Sequence, residues 1–220
     1  MARSVVASTI MTRARRWANM ERDTDFVSNS ELLEYVDSAW CRLYGLYAKA
    51  WPERFQTTQT VSVSAGTATY ALSSDYFGTI SVDVLDGSTY YALPLIQEHQ
   101  RNDFQHATGF GGYRVIGSNL TFVPTPTASA TVRHTYLPTA TAISSSATTI
   151  DGVLGHERLI ELDVALRLKA KEEADSSQLF AEYQRIREEV EEEAVMRSVR
   201  TGQTIAMVQS YPSPSWLRWR

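Results

Sequence analysis

The residues best suited to chemistry in this chain are four histidines, one cysteine and a scatter of serines, and their spacing argues against a reaction centre. His156–Glu157 opens like a zinc-binding helix, but no second histidine follows where two imidazoles would share a face. His99 and His106 are separated by one heptad with Asp103 between them, a weak metal pattern. No serine sits in the glycine-flanked turn that exposes a nucleophile. Gly109-Phe110-Gly111-Gly112 lacks the lysine and the helix of a phosphate loop and reads as a flexible loop tip. Cys41 is alone, so a disulfide within the chain and a cysteine metal cluster are both excluded; among Trp40, Leu43 and Tyr44 it is expected to be buried packing. No catalysis, metal or cofactor is expected.

What remains is the chemistry of recognition. Residues 203–220 end in Tyr211, Pro212, Pro214, Trp216, Leu217, Arg218, Trp219 and Arg220. The prolines favour an extended chain, and the rings are too few to bury one another. Tryptophan and arginine are frequent binding anchors, so this tail reads as a docking arm; folding back over its own helices is the alternative. Glu188, Glu189, Glu191, Glu192 and Glu193 form an acidic run that suits a solvated helix face, or a channel wall past which DNA slides without sticking. The Asp86–Gly87 turn and the Phe110–Gly111 loop are candidate partner contacts. Arg13, Arg15 and Arg16 suit an acidic partner, DNA or an exposed helix face.

Charge is unevenly distributed. The chain carries a net −4, yet residues 1–22 and 201–220 are both positive while the segments between them are negative. A negative body argues against a DNA-wrapping surface. Positive ends suit reaching onto a neighbour's acidic surface. No apolar run approaches the roughly 20 residues of a membrane span, and the arginines near the start follow an apolar stretch instead of preceding it, so a cytoplasmic origin is expected and no membrane partner.

The elements that must position these groups change character twice. Helical patterns cover residues 2–20, with Val5, Val6, Thr9, Ile10, Arg13 and Trp17 near one face, and residues 30–51. Ser28 and Glu31 form a capping-box pattern at the start of the second, and Pro52 ends it. Its positions Leu32, Val36, Ala39, Leu43 and Tyr47 recur at three and four residues, predicting one buried stripe, which Tyr35, Trp40, Tyr44 and Trp51 broaden. From residue 57 the period becomes two. Seven short strands are predicted, at 60–63, 67–71, 78–85, 89–93, 113–116, 120–123 and 130–136. The first three pairs read as hairpins, and residues 94–104 as a short helix carrying Ile96 and Phe104. Residues 139–149, nearly all Thr, Ala and Ser, read as a linker. Helices resume at 154 and break at Ala174-Asp175-Ser176. Leu159, Leu162, Leu166 and Ala170 stripe the third, with Ile160, Val164 and Leu168 beside them; Leu179, Tyr183, Ile186, Val190 and Ala194 stripe the fourth. The expected fold is α+β: about four helices (1–56 and 150–202), an inserted small antiparallel β domain (57–149) whose ends lie close together, and an extended C-terminal arm (203–220).

This arrangement resembles the head-to-tail adaptors of tailed bacteriophages, in particular those whose helical bundle carries a β-rich insertion. The resemblance is carried by the Trp- and Tyr-rich second helix, by Tyr70-Ala-Leu72-Ser-Ser-Asp75-Tyr76-Phe77, by the run from Tyr113 through Pro124 to Pro126, and by the acidic-spaced helical pair over 162–190. The proline usual in the Leu72–Asp75 segment is absent here. The resemblance implies a structural protein of the virion neck that assembles as a ring matching the portal's twelvefold symmetry. It would bind the portal protein and other copies of itself, extend the channel for passing double-stranded DNA, and offer a platform to a downstream tail or nozzle protein. It also implies that such adaptors can stay monomeric until they meet the portal. A stopper or tail-completion protein is the nearest alternative; a monomeric module whose β insert recognises a small ligand or sugar is the more distant one.

Overall fold

A computed structural model describes residues 2–21, 26–107, 109–153 and 155–197. Among them are four α-helices and nine strands, all paired antiparallel, which is the α+β class expected. The chain divides into two compact units: one drawn from residues up to Glu53 and from Ala140 onward, the other from Arg54–Thr139.

The first unit is built around its third helix. In chain order it contains β1 (Ala2–Val6), α1 (Ala7–Trp17), α2 (Asn29–Ala50), β9 (Thr149–Val153), α3 (Glu157–Lys171) and α4 (Ser177–Arg197). Helix α2 starts where its cap requires: Ser28 accepts the Glu31 N–H at 3.2 Å. The Glu31 carboxylate does not close the capping box but takes the Tyr35 hydroxyl and Lys171. The predicted stripe Leu32, Val36, Ala39, Leu43 and Tyr47 is buried throughout. Helix α3 packs against α1, α2 and α4. It is therefore buried on more than one face, through Leu159, Ile160, Leu162, Val164, Ala165 and Leu168, with the carboxylates Glu157, Glu161 and Asp163 buried among them. Leu166 is only half-buried and Ala170 is exposed.

The expected helix over 2–20 is corrected at its start. Residues Ala2–Val6 form β1, paired with β9 so that Val5 faces Ile150 across the ladder. Beta-branched Val5 and Val6 gain a partner there that lies far away in the sequence. The helical face consequently begins at Ala7 and runs through Ile10, Met11 and Ala14; Trp17 remains partly exposed under the Arg158 guanidinium. The linker is not free either. Trp40 donates its indole N–H to the Thr141 carbonyl at 3.1 Å, and Asp37 accepts the Ile143 N–H at 2.7 Å. Cys41, expected to be buried, is exposed, because it falls beside the Trp40 position on the helix and outside the stripe. Partial desolvation, with Asp37 nearby, holds its thiol above the usual range, so it is a poor nucleophile.

The second unit is a two-layer sandwich of seven strands: β2 (Thr57–Val63), β3 (Thr69–Ala71), β4 (Tyr76–Asp86), β5 (Thr89–Ala92), β6 (Gly112–Ile116), β7 (Asn119–Val123) and β8 (Ala130–Pro138). One sheet has the order β2-β8-β4-β5 and the other β3-β7-β6. Val61, Val63, Val82 and Val132 from the first sheet meet Tyr113, Leu120 and Phe122 from the second, and this is the core. Hairpins β4–β5 and β6–β7 form as predicted, around Gly87 and Gly117 at positive φ. The first expected hairpin does not form. The Ala65–Gly66 turn carries the chain from one sheet to the other, so β2 pairs with β8 and β3 with β7. The expected helix at 94–104 is also corrected. Pro94–Ile96 lies against β6, with the Tyr113 N–H donating to the Pro94 carbonyl and the Ile96 N–H to the Tyr113 carbonyl, and only Glu98–Gln100 makes a 3-10 turn. Thr57 lies opposite Tyr136 on adjacent strands, so the chain enters and leaves this unit at neighbouring positions.

Candidate functional site

The groups with chemical potential are mostly committed to holding the fold. His156 stands before α3 with its ring stacked on Tyr47 of α2 at 5.7 Å between centroids. Its Nδ1 lies 2.7 Å from the Tyr47 hydroxyl and its Nε2 3.2 Å from the Glu193 carboxylate of α4. An ionised carboxylate only accepts, so the neutral ring carries its hydrogen on Nε2 and takes the Tyr47 proton at Nδ1. His156 thus ties three helices together. Burial pushes its pKa down, against the opposing pull of Glu193.

His134 in β8 is fully buried beside Tyr136 and Tyr76. Its Nε2 meets the Thr79 hydroxyl at 3.1 Å, and that hydroxyl also meets Tyr76 at 3.0 Å. A hydroxyl beside an imidazole is half of a nucleophilic relay. The other half is missing: Nδ1 has no partner among the described residues, so no carboxylate orients the ring. Of its two register partners, Val82 is apolar and Gln59 has an Oε1 that is likewise buried and unpartnered among the described residues. Burial lowers the His134 pKa.

Both depressed histidines have one consequence. Each is neutral in the fold below its ordinary pKa of about 6.5, where the unfolded chain would be protonated. Stability is therefore fully present above that pH and is lost as pH falls through the window beneath it, by at most about 1.4 kcal/mol per unit for each histidine. Melting temperatures measured between about pH 7.5 and 5.5 should fall on the acid side; a flat profile would show that neither ring needs to stay neutral. Asp163 acts oppositely: burial holds its carboxyl above the usual range despite Arg167 and Arg42.

The predicted interaction residues divide sharply. Arg13 donates to the buried Glu161 at 2.9 Å, and the buried Arg15 donates to the Val27 carbonyl at 2.7 Å. Arg15 is thereby internal, which corrects the readings made for it; Arg13 is half-buried and already paired with Glu161, and Arg16 lies on the surface, 3.7 Å from Glu21. On α4, Ile186, Val190 and Ala194 are buried and the acidic run is divided around them, with Glu193 reaching the buried His156. Arg185 pairs with Glu189, Arg187 with Glu191 at 3.0 Å, and Arg197 with Glu193 at 3.2 Å, while Glu188 and Glu192 are exposed. This is a salt-bridge-laced face.

In the β unit, Asp86 and Gly87 form an exposed hairpin tip. Phe110 instead packs edge-on against Phe122 at 5.3 Å and Gly111 is wedged under Val123 and Pro124, so the loop read as a flexible tip has a packing task. The strongly exposed aromatics are ones the periodicity did not single out, Phe77 and Tyr91, at 59% and 55%. A surface hollow of about 420 Å³ is lined by Tyr76, Thr79, Ile96 and Tyr113, but its charged groups, Arg114 and Glu98, pair with each other. Among the described residues no cluster of His, Cys, Asp or Glu is arranged to hold a metal, and no helix is long and apolar enough to cross a membrane. His99, Asp103 and His106 are exposed. Tyr211, Pro212, Pro214, Trp216, Leu217, Arg218, Trp219 and Arg220 lie outside the described residues.

No curated protein matches the chain. The family model described as SU10 adaptor protein matches residues 7–206, a span that takes in every helix and every strand except β1. The chain therefore belongs to the SU10 adaptor protein family.

Proposed function

We propose that this protein is a phage head-to-tail adaptor that forms a ring below the portal in the virion neck. The observation that carries the reading is the family match over residues 7–206. The geometry supports it: His134, His156, the buried carboxylates and Arg15 serve internal packing, while the large rings of Phe77 and Tyr91 are left at the surface of a sheet. Surfaces of that kind do recognition rather than reaction. In this role copies meet through two different faces, a heterologous contact that closes into a ring. The ring continues the channel for double-stranded DNA without sequence readout and presents a platform to the next tail or nozzle protein. The tail from Tyr211 to Arg220 docks the portal or a neighbouring copy, and the Asp86–Gly87 tip is a partner contact. The exposed Glu188 and Glu192 belong to a solvated face that tolerates passing DNA.

The deciding experiment mixes the purified chain with purified portal rings and images the product. An added annular layer on one end of each portal is the expected result. Bare portals beside unassembled chain, at concentrations well above micromolar, would refute the reading and leave a ligand-binding module as the better account.

A further inference from the structure

The four-stranded sheet of the β unit has two unprotected edges. One is β2, Thr-Thr-Gln-Thr-Val-Ser-Val, and the other is β5, Thr-Tyr-Tyr-Ala; neither contains a charge or a proline. Every residue of β5 is exposed, as are Thr57, Thr58, Thr60 and Ser62 of β2. Among the described residues, neither strand has a backbone partner on its outer side. Soluble proteins ordinarily blunt such edges with lysines, prolines or bulges, because a row of free N–H and C=O groups recruits any extended chain. The irregularities in this sheet fall inside it, between β4 and β8, and leave both edges regular.

The residue rows across the sheet say what fits these edges. Val61, Val132, Val84 and Tyr91 form one row on the core face, and Thr60, Arg133, Asp83 and Ala92 form the next on the outer face. In the first row the three valines are covered or partly covered, whereas Tyr91 at the open end is more than half exposed. The apolar row runs out past the cover provided by the second sheet. Strand direction then selects the partner. Four strands alternate, so β2 and β5 run in opposite directions. A second copy brought alongside in the same orientation sets its β2 antiparallel to the first copy's β5, continuing the ladder without a break. An odd strand count would have made that junction parallel.

We infer, on the basis of the ring reading above, that β5 of each copy pairs with β2 of the next, so that the sheets of adjacent copies join edge to edge. The junction is heterologous, as ring closure requires. It buries Tyr91 against the neighbour's Val61 end of the row, and the specificity comes from main-chain hydrogen bonds plus this one ring.

Disulfide trapping tests it. In a Cys41→Ser background, Ala92→Cys is combined in turn with Thr58→Cys, Thr60→Cys or Ser62→Cys, three exposed positions on the same sheet face that sample the register. After assembly on portal rings and oxidation, one pairing should give a ladder of covalent multimers in denaturing electrophoresis, absent from the unassembled chain. Rings visible on the portals with no ladder from any pairing would overturn the edge junction while leaving the ring intact. No rings from the Cys41→Ser parent would instead overturn the ring reading, and the junction with it. A second variant, Thr58→Lys with Thr60→Lys, places gatekeeper charges on the β2 edge without touching the core. Its assembly should weaken at least about tenfold; assembly equal to the parent's would also overturn the junction.

Discussion

Removing residues 211–220 is expected to leave the folded chain intact and to abolish its attachment to portal rings. Helix content and melting temperature are expected to match those of the full chain, and measuring both separates a docking defect from a folding one. The segment supplies two tryptophans, a tyrosine, a leucine and two arginines on a backbone restrained by Pro212 and Pro214. Individual aromatic or arginine anchors often contribute 2 kcal/mol or more, and a pre-extended chain loses less entropy when it docks. Loss of two such anchors, roughly 4 kcal/mol, weakens binding about a thousandfold, enough to empty the portal at micromolar chain. Co-sedimentation of the shortened chain with portal rings is the measurement. Trp216→Ala and Trp219→Ala should each fall between the shortened and full chains. Attachment equal to that of the full chain would remove the tail from the interface.

The second large effect concerns the β unit. A Cβ placed on Gly112 would lie 2.5 Å from the Pro94 carbonyl oxygen and 2.7 Å from Cδ1 of Ile96. The oxygen belongs to backbone that is itself held by the Tyr113 N–H, so it cannot rotate away. Gly112→Ala should therefore force Pro94–Ile96 off β6 and cost roughly 2–4 kcal/mol. For a unit of this size that lowers the melting temperature by roughly 10–25 °C. Gly45→Ala is the contrast. It sits in α2 with nothing near its added methyl, and alanine is the better helix former by about 1 kcal/mol. Scanning calorimetry should show the two substitutions moving stability in opposite directions. Equal melting of Gly112→Ala and the parent would mean that the Pro94 segment is far looser than its hydrogen bonds suggest.

Local pattern and its limits account for what the amino-acid sequence revealed. The α2 stripe, the break before α4 and the seven strands were all legible, because periods of 3.6 and two residues report directly on which face is buried. Pairing was legible only where a tight turn dictated it, as at Gly87 and Gly117. Period two identifies a strand but not its neighbour, so β2 and β3 looked like a hairpin although they belong to different sheets. Strand β1 was invisible for a related reason: Ala2–Val6 becomes extended through a partner at residues 149–153, and nothing local announces it. Arginine placement failed on the same ground. Arg15 read as surface charge until the Val27 carbonyl is brought to it, and the half-buried Arg13 gave no sign of its partner Glu161. The latch at His156 joins residues 47, 156 and 193, and no spacing rule connects those numbers. Tyr91 looked like an ordinary strand residue, since its exposure depends on where the second sheet stops.

Strands β2 and β8 begin and end the sandwich side by side, with Thr57 facing Tyr136. Cross-strand partners of this kind sit about 5 Å apart at their Cα atoms, a gap that one or two residues span. The whole module can accordingly be cut out, closed over or traded for another of similar footprint by edits confined to two adjacent sites in the chain. Lineages that must fit new neighbours have in this design a replaceable cartridge, and experimenters have a ready place to splice in a tag, a reporter or a foreign domain.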